Sequence, residues 1–376
     1  MMTSGTATAA VADQAGFAQA ATDAMAATGA RGLAVAVIDH GKVVSVQAFG
    51  ARNEAGDPLT TDTVMYGASL TKTLFAYFVM QLVDEAKVRL DRPIAGYLPR
   101  PLPDYGNLDA YGNWGDLAGD ERWREITPRM ALNHSTGFAN FAFLEPDGKL
   151  RIHFRPGSRF AYSGEGIELL QFAIEKGLGL DLQAELERRV FKPLAMNHSS
   201  LVWHPEFARN LADGWTSAGE AVAHDERSRV RAAGSLDTSI SDFSRFAAAL
   251  ASGQGLSADA HRAMIRPGLP ITTRQQFPSL APEVPLSERV ASLAAGIGVV
   301  TFRGPQGPGF MKGGHNDSTG NMLVCLEDGE RCALIMSNDV RAEAAFPKLV
   351  NAILGDTGAP WSWEYSGMKF LSESPL

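Results

Sequence analysis

The chain has 376 residues, too many for one small hydrophobic core, so it forms either one large unit with two lobes or two domains. Apolar residues make up 45% of the sequence and charged residues 20%, which is ordinary for a soluble globular protein. The formal net charge of −8 argues against nucleic acid as a partner, and no apolar run reaches the length of a membrane span.

The N-terminal segment begins with small and polar residues and continues with a helix and a hairpin. Met1 to Ala10 have no basic n-region and no long apolar core, so no signal peptide is visible. We expect a cytoplasmic protein, or a periplasmic or secreted one if the chain is a mature form. Residues 1–11 are expected to be disordered and the alanine-rich residues 12–27 to be helical. The apolar runs 33–38 and 43–49 flank a short turn and predict a β-hairpin.

The middle of the chain, residues 91–289, carries helical patterns and two long loops. Residues 100–126 are rich in proline, glycine and aromatic residues, and form either a functional loop or an idiosyncratic surface loop. The proline-rich residues 266–290 also predict a loop. We therefore expect an inserted, mostly helical lobe, whose clearest helices lie at 166–176, 182–190 and 241–251, the last with Ser241-Asp242 as its capping signal.

The C-terminal segment returns to strand patterns. Residues 321–326 and 332–337 predict two paired strands, and residues 342–353 predict a final helix. Strands at both ends of the chain with helices between them indicate an α+β fold. In this fold, residues 12–90 and 290–376 build an antiparallel sheet flanked by terminal helices. The helical lobe is inserted between them.

The two cysteines, Cys325 and Cys332, flank an Asp328-Gly329 turn that places them directly opposite each other. Counting outward from a two-residue loop puts this pair at a hydrogen-bonded position, where the Cα atoms are farther apart. We therefore expect two free, half-buried thiols rather than a disulfide, which agrees weakly with a reducing compartment.

Ser69 and Lys72 lie three residues apart at the start of an apolar helix pattern, so they share one helix face. Residues 74–83 are apolar on all sides, which predicts a buried helix and a partly desolvated Lys72. A desolvated amine accepts a proton more readily, and a serine beside such an amine is an activated nucleophile. Ser366 and Lys369 repeat the spacing without an apolar continuation, so we expect an ordinary helical surface pair there.

Two further sequence segments contribute residues to the same candidate site. Tyr162 leads into the helical lobe and can share or relay the proton of the serine; taken alone, it is a half-buried structural tyrosine. Lys312, Gly313 and Gly314 lie just before the C-terminal strands. A cation there favours deprotonation of Lys72 and attracts a substrate carboxylate, and glycines let a ligand approach the backbone. Taken alone, this string is a glycine-rich turn with a solvated lysine.

In this order, the strings resemble those of the serine β-lactamase and DD-peptidase (penicillin-binding protein-like) superfamily. The nearest branch is that of the class C β-lactamases, with their relatives the family VIII carboxylesterases and D-amino-peptidases. The resemblance covers residues 30–355 and implies a β-lactamase/transpeptidase-like fold. It also implies one catalytic unit, with its site between the two lobes. It is supported by the strings at 126–138, 191–196 and 232–239.

The resemblance also implies a role for each matching residue. Ser69 is implied as the acylated nucleophile, with Lys72 and Tyr162 as general bases. The backbone N–H groups of Ser69 and His315 are implied as the oxyanion hole. The implied substrate-binding strand consists of Lys312, Gly313, Gly314 and His315.

Two positions depart from the family pattern. Gly164 stands where the second motif ends in asparagine, so a side-chain amide that would contact the substrate and support Lys72 is missing. Gly313 stands where a substrate-binding hydroxyl is expected. The first departure favours ester cleavage over β-lactam or peptide cleavage. Phe138, Phe141 and Phe143 either line an apolar substrate pocket or belong to the core, and we favour the core.

We therefore expect a serine hydrolase, foremost a carboxylesterase that acts on small to medium esters. The alternatives are a class C-like β-lactamase, a D-amino acid amidase or DD-peptidase and, from a different class, a non-turnover penicillin-binding-like protein. No cofactor and no metal are expected, because the eight histidines include no His-Glu-x-x-His motif; His134, His198 and His224 are expected to be structural. The expected partner is a small-molecule ester or amide, and the natural substrate and the oligomeric state stay open.

Overall fold

A computed structural model describes residues 14–371 of the chain, and the segment predicted to be disordered, 1–11, lies outside them. Its centre is one eight-stranded sheet in which all neighbouring strands are antiparallel. The strands are β1 (Gly32–Asp39), β2 (Lys42–Gly50), β3 (Leu269–Pro270), β4 (Ala294–Ala295), β5 (Val300–Gly304), β6 (Gly307–His315), β7 (Gly320–Leu326) and β8 (Arg331–Ser337).

The two ends of the chain share this sheet, which confirms the predicted fold class. The strand order is β2-β1-β8-β7-β6-β5-β4-β3, so the N-terminal hairpin lies beside the last strand, with Leu33 opposite Ser337. Both strands of the predicted hairpin are present. The short edge strand β3 lies within 266–290, where a loop was predicted; its two residues are too few to give a strand pattern.

Helices cover both faces of the sheet, and alternate residues of β1 explain why. Leu33 and Val35 belong to the core beneath the helices at the two chain ends, whereas Ala34 and Ala36 belong to the core of the opposite face. A strand buried on both faces reads as a continuous apolar run, as β1 does. The helices are α1 (Gln14–Thr28), α2 (Leu70–Asp84), α3 (Pro128–Leu132), α4 (Gly164–Gly177), α5 (Leu182–Leu186), α6 (Ile240–Ser252), α7 (Ala258–Ile265), α8 (Phe346–Leu354) and α9 (Trp361–Glu364).

Three helix boundaries differ from those that the pattern predicted. The helix predicted at 182–190 is α5 followed by a π-helical turn, Glu187–Phe191. The capping residue of α6 is Ser239 rather than Ser241, since the Ser239 hydroxyl accepts a hydrogen bond from the Asp242 N–H at 3.2 Å. The final helix begins with a 3₁₀ turn, Val340–Ala345.

The segment 91–289 contributes to both parts of the fold. It supplies α3, α4 and α5, and it also supplies α6, which packs against β1 and β8 of the sheet. The boundaries at 90/91 and 289/290 stay a prediction. Within residues 14–371, no helix is both long enough and apolar enough to cross a membrane.

The loop 100–126 folds into short 3₁₀ turns and a two-stranded ribbon that packs on α4. The rings of Tyr105, Tyr111 and Trp114 surround Phe172, with centroid distances of 4.9, 5.1 and 5.8 Å. These aromatic side chains therefore cover the helical lobe, and the indole rings of Trp114 and Trp123 are buried.

The expectation of two free thiols is wrong, because Cys325 and Cys332 form a disulfide. The residues are cross-strand partners on β7 and β8, as predicted, but the turn between the strands has four residues, 327–330, rather than two. The longer turn shifts the hydrogen-bonding pattern by one pair. The Cα atoms of the two cysteines are 4.1 Å apart, as at a non-hydrogen-bonded position, and this position lets the two sulfur atoms meet.

Candidate active site

Ser69 and Lys72 are brought together at the start of α2. Ser69 is at the N-cap position of the helix, where its side chain makes no capping hydrogen bond. Lys72 lies one turn later, so that the Nζ atom of Lys72 is 3.0 Å from the Oγ atom of Ser69. The helix is buried along nearly its whole length, as its apolar sequence predicted, and Lys72 is only 1% exposed. The pair therefore has the hydrogen-bonded geometry of a nucleophile and its base.

The surroundings of Lys72 favour its neutral form. Burial lowers the pKa of Lys72 well below its usual value, the charge of Lys312 lowers it further, and the charge of Glu168 opposes both. The amine also donates to the carbonyl of Ala233 at 2.5 Å. The Ala233 N–H in turn donates to the buried carboxyl of Glu168 at 3.1 Å. The backbone of Ala233 therefore connects Lys72 to α4.

The backbone before Ser69 is held in an unusual conformation. Ala68 has a φ of +47°, in the left-handed region that L-residues other than glycine rarely adopt. The Gly67 N–H donates to the carbonyl of Leu236 at 2.8 Å, and the hydroxyl of Tyr66 donates to the carbonyl of Gly234 at 2.6 Å. The Ser69 N–H has no protein acceptor within residues 14–371, as is usual for the first N–H groups of a helix.

Tyr162 and Lys312 form the second half of the cluster. Tyr162 immediately precedes Ser163, which caps α4 by accepting the Gly166 N–H at 3.0 Å. The Nζ atom of Lys312 is 3.3 Å from the Oη atom of Tyr162, and the amines of Lys72 and Lys312 lie 5.0 and 5.2 Å from the centre of the tyrosine ring. Burial raises the pKa of Tyr162 well above its usual value, although the nearby Ser69 hydroxyl opposes this. Burial lowers the pKa of Lys312 to about 8, with the charge of Glu364 opposing.

Gly314 lets strand β6 approach the start of α2. A Cβ atom at this position would lie 2.8 Å from the Leu70 nitrogen, 2.9 Å from the Gly67 oxygen and 3.0 Å from the Ser69 nitrogen. No side chain fits there, so the glycine is required by close backbone approach. Asn321 fixes this contact from the neighbouring strand, since its amide donates to the carbonyls of Gly314 at 2.9 Å and Tyr66 at 3.1 Å.

Residues 312–315 of β6 have an open edge. They pair with β7 on one side, whereas β5 pairs only with the earlier residues of β6, up to Met311. The Gly313 carbonyl accepts a hydrogen bond from Lys312 Nζ and therefore points to the open edge. Because backbone groups alternate between the two edges of a strand, the His315 N–H points the same way. The edge is thus free to pair with an extended substrate.

The side chain of His315 is engaged elsewhere. Its Nδ1 atom lies 3.1 Å from a carboxylate oxygen of Glu343. Burial lowers the pKa of His315, but the hydrogen bond to Glu343 and the charges of Glu343 and Glu364 outweigh burial and raise the pKa above its usual value. The imidazole is therefore held by Glu343 beside the cavity, whereas the backbone N–H of His315 belongs to the row of groups on the open edge.

A cavity of about 640 Å³ joins these residues. The sequence-predicted members of its lining are Ser69, Lys72, Tyr162, Gly313 and His315. Sequence reasoning missed most of the other side chains at the cavity, and neither motif nor spacing signals them; they include Glu168, Arg227, Arg231, Phe277 and Glu364. Phe141 was assigned to the core; it lines the cavity and stacks on Phe143, which is 74% exposed, whereas Phe138 is buried as expected.

The three histidines expected to be structural take different positions. The ring of His134 packs against that of Tyr162 at a tilt, with centroids 4.4 Å apart, and burial lowers the pKa of His134 well below its usual value. His198 and His224 contact Asp242 and Asp237, away from the cavity lining. In the part of the chain that the structure describes, no group of three His, Cys, Asp or Glu residues is arranged to hold a metal ion.

The sheet, the buried Ser-x-x-Lys helix and the glycine strand together define the fold class of the serine β-lactamases and DD-peptidases. The family model described as Beta-lactamase matches residues 17–354, so the chain belongs to the beta-lactamase family. Over 184 residues the chain is 27% identical to esterase EstB of Burkholderia gladioli, a match that covers 45% of this chain and 47% of that protein. The chain spans about half the length of the curated relatives it matches.

Two solved structures have the same fold. One is the octameric penicillin-binding protein homologue from Pyrococcus abyssi, with a TM-score of 0.70 and 20% identity over 92% of this chain and 79% of that chain. The other is the D-alanine carboxypeptidase AmpC from Burkholderia cenocepacia, with a TM-score of 0.70 and 17% identity over 91% and 98% of the two chains. At these identities, the likeness concerns the fold alone.

Proposed function

We propose that this protein is a serine hydrolase that forms an acyl-enzyme at Ser69, and that it is a carboxylesterase for small to medium esters. The observation that carries the proposal is the distance of 3.0 Å between Ser69 Oγ and Lys72 Nζ, with the amine buried. Burial lowers the pKa of Lys72, so its neutral form is more accessible than that of an exposed lysine, and a neutral amine accepts the proton of the serine.

In the acylation step, the ester lies along the open edge of β6, and Ser69 Oγ attacks its carbonyl carbon. Lys72 takes the proton of the serine, and the negative charge that develops on the carbonyl oxygen is stabilised by the N–H groups of Ser69 and His315. The N–H of Ser69 is free to donate, and Gly314 holds the strand close enough for both N–H groups to converge. The proton is then returned to the leaving alcohol.

In this scheme Tyr162 is a neutral phenol that relays protons, and it is not ionised in the resting enzyme. Burial raises its pKa, so the phenol keeps its proton near neutral pH. Its hydroxyl lies beside Lys312, whose amine stabilises any negative charge that develops on the phenol oxygen. In deacylation, a water beside Tyr162 attacks the acyl-enzyme, and the phenol passes protons between that water, Lys72 and Ser69.

Two features favour esters over β-lactams as substrates. Gly164 replaces the side-chain amide that would contact an amide substrate, and the ring of Phe141 occupies the space that a side chain there would enter. Gly313 offers no hydroxyl to a substrate carboxylate. The aromatic wall and the missing polar groups suit an apolar acyl or alcohol group, and one similar protein is named an esterase.

The test compares wild type, Ser69→Ala and a matched control, Ser366→Ala, which removes the serine of the second Ser-x-x-Lys string. Turnover is measured with a short-chain p-nitrophenyl ester and a chromogenic cephalosporin, and acyl-enzyme formation is followed by intact mass. Ester turnover that is lost in Ser69→Ala and kept in Ser366→Ala, with little cephalosporin hydrolysis, supports the esterase. Fast cephalosporin hydrolysis would identify a β-lactamase. A stable adduct without turnover would identify a penicillin-binding-like protein, and equal background activity in all three proteins would refute the role of Ser69.

A further inference from the structure

We propose that Glu364 forms a subsite for an organic ammonium group, so that the preferred substrates are esters that carry a positive charge beside the scissile bond. This inference rests on the proposed function and narrows its substrate class. It starts from a carboxylate that the catalytic scheme does not use.

Glu364 is the last residue of α9 and is only 5% exposed, yet it lines the cavity that contains Ser69. Within residues 14–371, its side chain makes no hydrogen bond and no ion pair. A carboxylate that faces a cavity without a protein partner attracts a cation, because buried charges in proteins are normally paired. A partner supplied by the substrate would complete this site.

Gly313 places the carboxylate next to the open edge of β6. A Cβ atom at this position would overlap the Oε1 atom of Glu364, so the carboxylate occupies the space of a side chain at 313. The resemblance described above implies a substrate-binding hydroxyl at this position. Here a negative charge stands in the same place, and it repels an anionic group and attracts a cationic one.

Neither Lys312 nor His315, two groups whose pKa values respond to Glu364, is bonded to it. Lys312 directs its amine to the Tyr162 hydroxyl, at 3.3 Å, and to the Gly313 carbonyl. The Nδ1 atom of His315 contacts Glu343 instead. The negative charge of Glu364 still acts on both residues, since it raises the pKa of Lys312 and the pKa of His315.

Aromatic rings complete the subsite. Phe277 lines the cavity together with Glu364, and its ring centroid lies 5.1 Å from that of Tyr162 and 6.0 Å from that of His315. A second cavity of about 290 Å³ shares Phe277 and Glu364 with the first and is also lined by Tyr365. A carboxylate that shares a cavity with aromatic side chains suits an alkylammonium group, because the rings attract the cation.

The experiment uses two isosteric pairs of esters. In the first pair the charge is on the leaving group: acetylthiocholine and the thioester in which carbon replaces its nitrogen. In the second pair it is on the acyl chain: a p-nitrophenyl ester with a terminal trimethylammonium group and its carbon isostere. The readout is the ratio of kcat/KM for the charged ester to that for its neutral isostere, in wild type, Glu364→Gln and Glu226→Gln. Glu226 is an exposed carboxylate that also lines the cavity and serves as the matched control.

We expect wild type to prefer the charged member of at least one pair, and Glu364→Gln to lower that ratio roughly tenfold or more. Glu226→Gln should leave the ratio within about twofold of wild type, because its charge is solvated. The inference is overturned if wild type turns over the neutral esters with no preference for the charged ones, or if both variants change the ratio equally. Loss of the proposed function looks different, since no ester of either pair would then show turnover that depends on Ser69.

Discussion

The ring of Phe141 occupies the space into which a side chain at Gly164 would project, because a Cβ atom there would overlap the edge of the ring. Gly164 is the first residue of α4, directly after the capping residue Ser163. Gly164 therefore leaves the cavity without a polar side chain, and Phe141 adds an apolar ring to the cavity wall. The glycine is what makes room for the ring, so the two features depend on each other.

This pairing predicts that Gly164→Asn alone cannot restore the amide of the family motif. The new side chain would have to displace the ring, and overpacking of this kind costs about 1–3 kcal/mol. We expect a lower Tm and lower ester turnover in Gly164→Asn. In Gly164→Asn/Phe141→Ala, the Tm should recover and hydrolysis of a chromogenic cephalosporin should increase. Phe141→Ala alone is the control, and equal Tm losses in the single and double variants at 164 would contradict the argument.

The pH profile of ester hydrolysis should have an alkaline limb set by Lys312. The pKa of this residue is about 8, so its positive charge beside Tyr162 is lost as the pH rises through that value. The charge of Glu364 raises the pKa of Lys312, so removing it in Glu364→Gln lowers that pKa. With a neutral p-nitrophenyl ester, kcat/KM should therefore begin to fall at a lower pH in Glu364→Gln than in wild type.

The matched control for the profile is Glu226→Gln, whose exposed carboxylate does not act on Lys312. Its alkaline limb should coincide with that of wild type. An alkaline limb that stays in place in Glu364→Gln, or moves to higher pH, would show that Lys312 does not set it.

The disulfide between Cys325 and Cys332 should stabilise the protein without affecting the chemistry. It closes a loop of only seven residue steps, so its removal should cost about 2 kcal/mol. We expect a reductant to lower the Tm of wild type but not that of Cys325→Ala/Cys332→Ala. Alkylation under denaturing conditions without reductant should add no label to wild type, and two added labels would mean that the thiols are free.

The disulfide also illustrates what the sequence could and could not predict. The strands around Cys325 and Cys332 and their pairing followed from apolar runs on either side of Asp328-Gly329. The length of the turn did not, because Asp-Gly suits a two-residue loop as well as the four-residue turn that is present. One misjudged turn was enough to reverse the expected state of both cysteines.

The candidate site likewise contains residues that the sequence predicted and residues that it did not. The buried helix behind Ser69 and Lys72 was readable from its continuous apolar sequence, and the glycine of β6 from its motif. Glu364 was not readable, because it reaches the cavity from a C-terminal helix of four residues through tertiary packing alone. Phe141 was assigned to the core, since a sequence does not distinguish an aromatic ring that fills a core from one that lines a cavity.

Asn321 is predicted to position strand β6 against the nucleophile. Its buried amide donates to the carbonyls of Gly314 and Tyr66, and thereby joins the substrate strand to the segment that carries Ser69. Asn321→Leu leaves both carbonyls without this partner, which should lower stability by about 1–3 kcal/mol. It should also lower kcat/KM roughly tenfold to a hundredfold, because small displacements of reacting groups are costly.

Asn338 provides a matched control for this prediction. Its buried amide likewise donates to two carbonyls, those of Ala51 and Arg52, each at 3.3 Å, but neither carbonyl touches the cavity. Asn338→Leu should lose a comparable amount of stability and keep kcat/KM within about twofold of wild type when assayed below its Tm. If the two variants lose activity equally, Asn321 has only a structural role. If Asn321→Leu loses activity alone, the contact between β6 and the start of α2 sets the catalytic geometry.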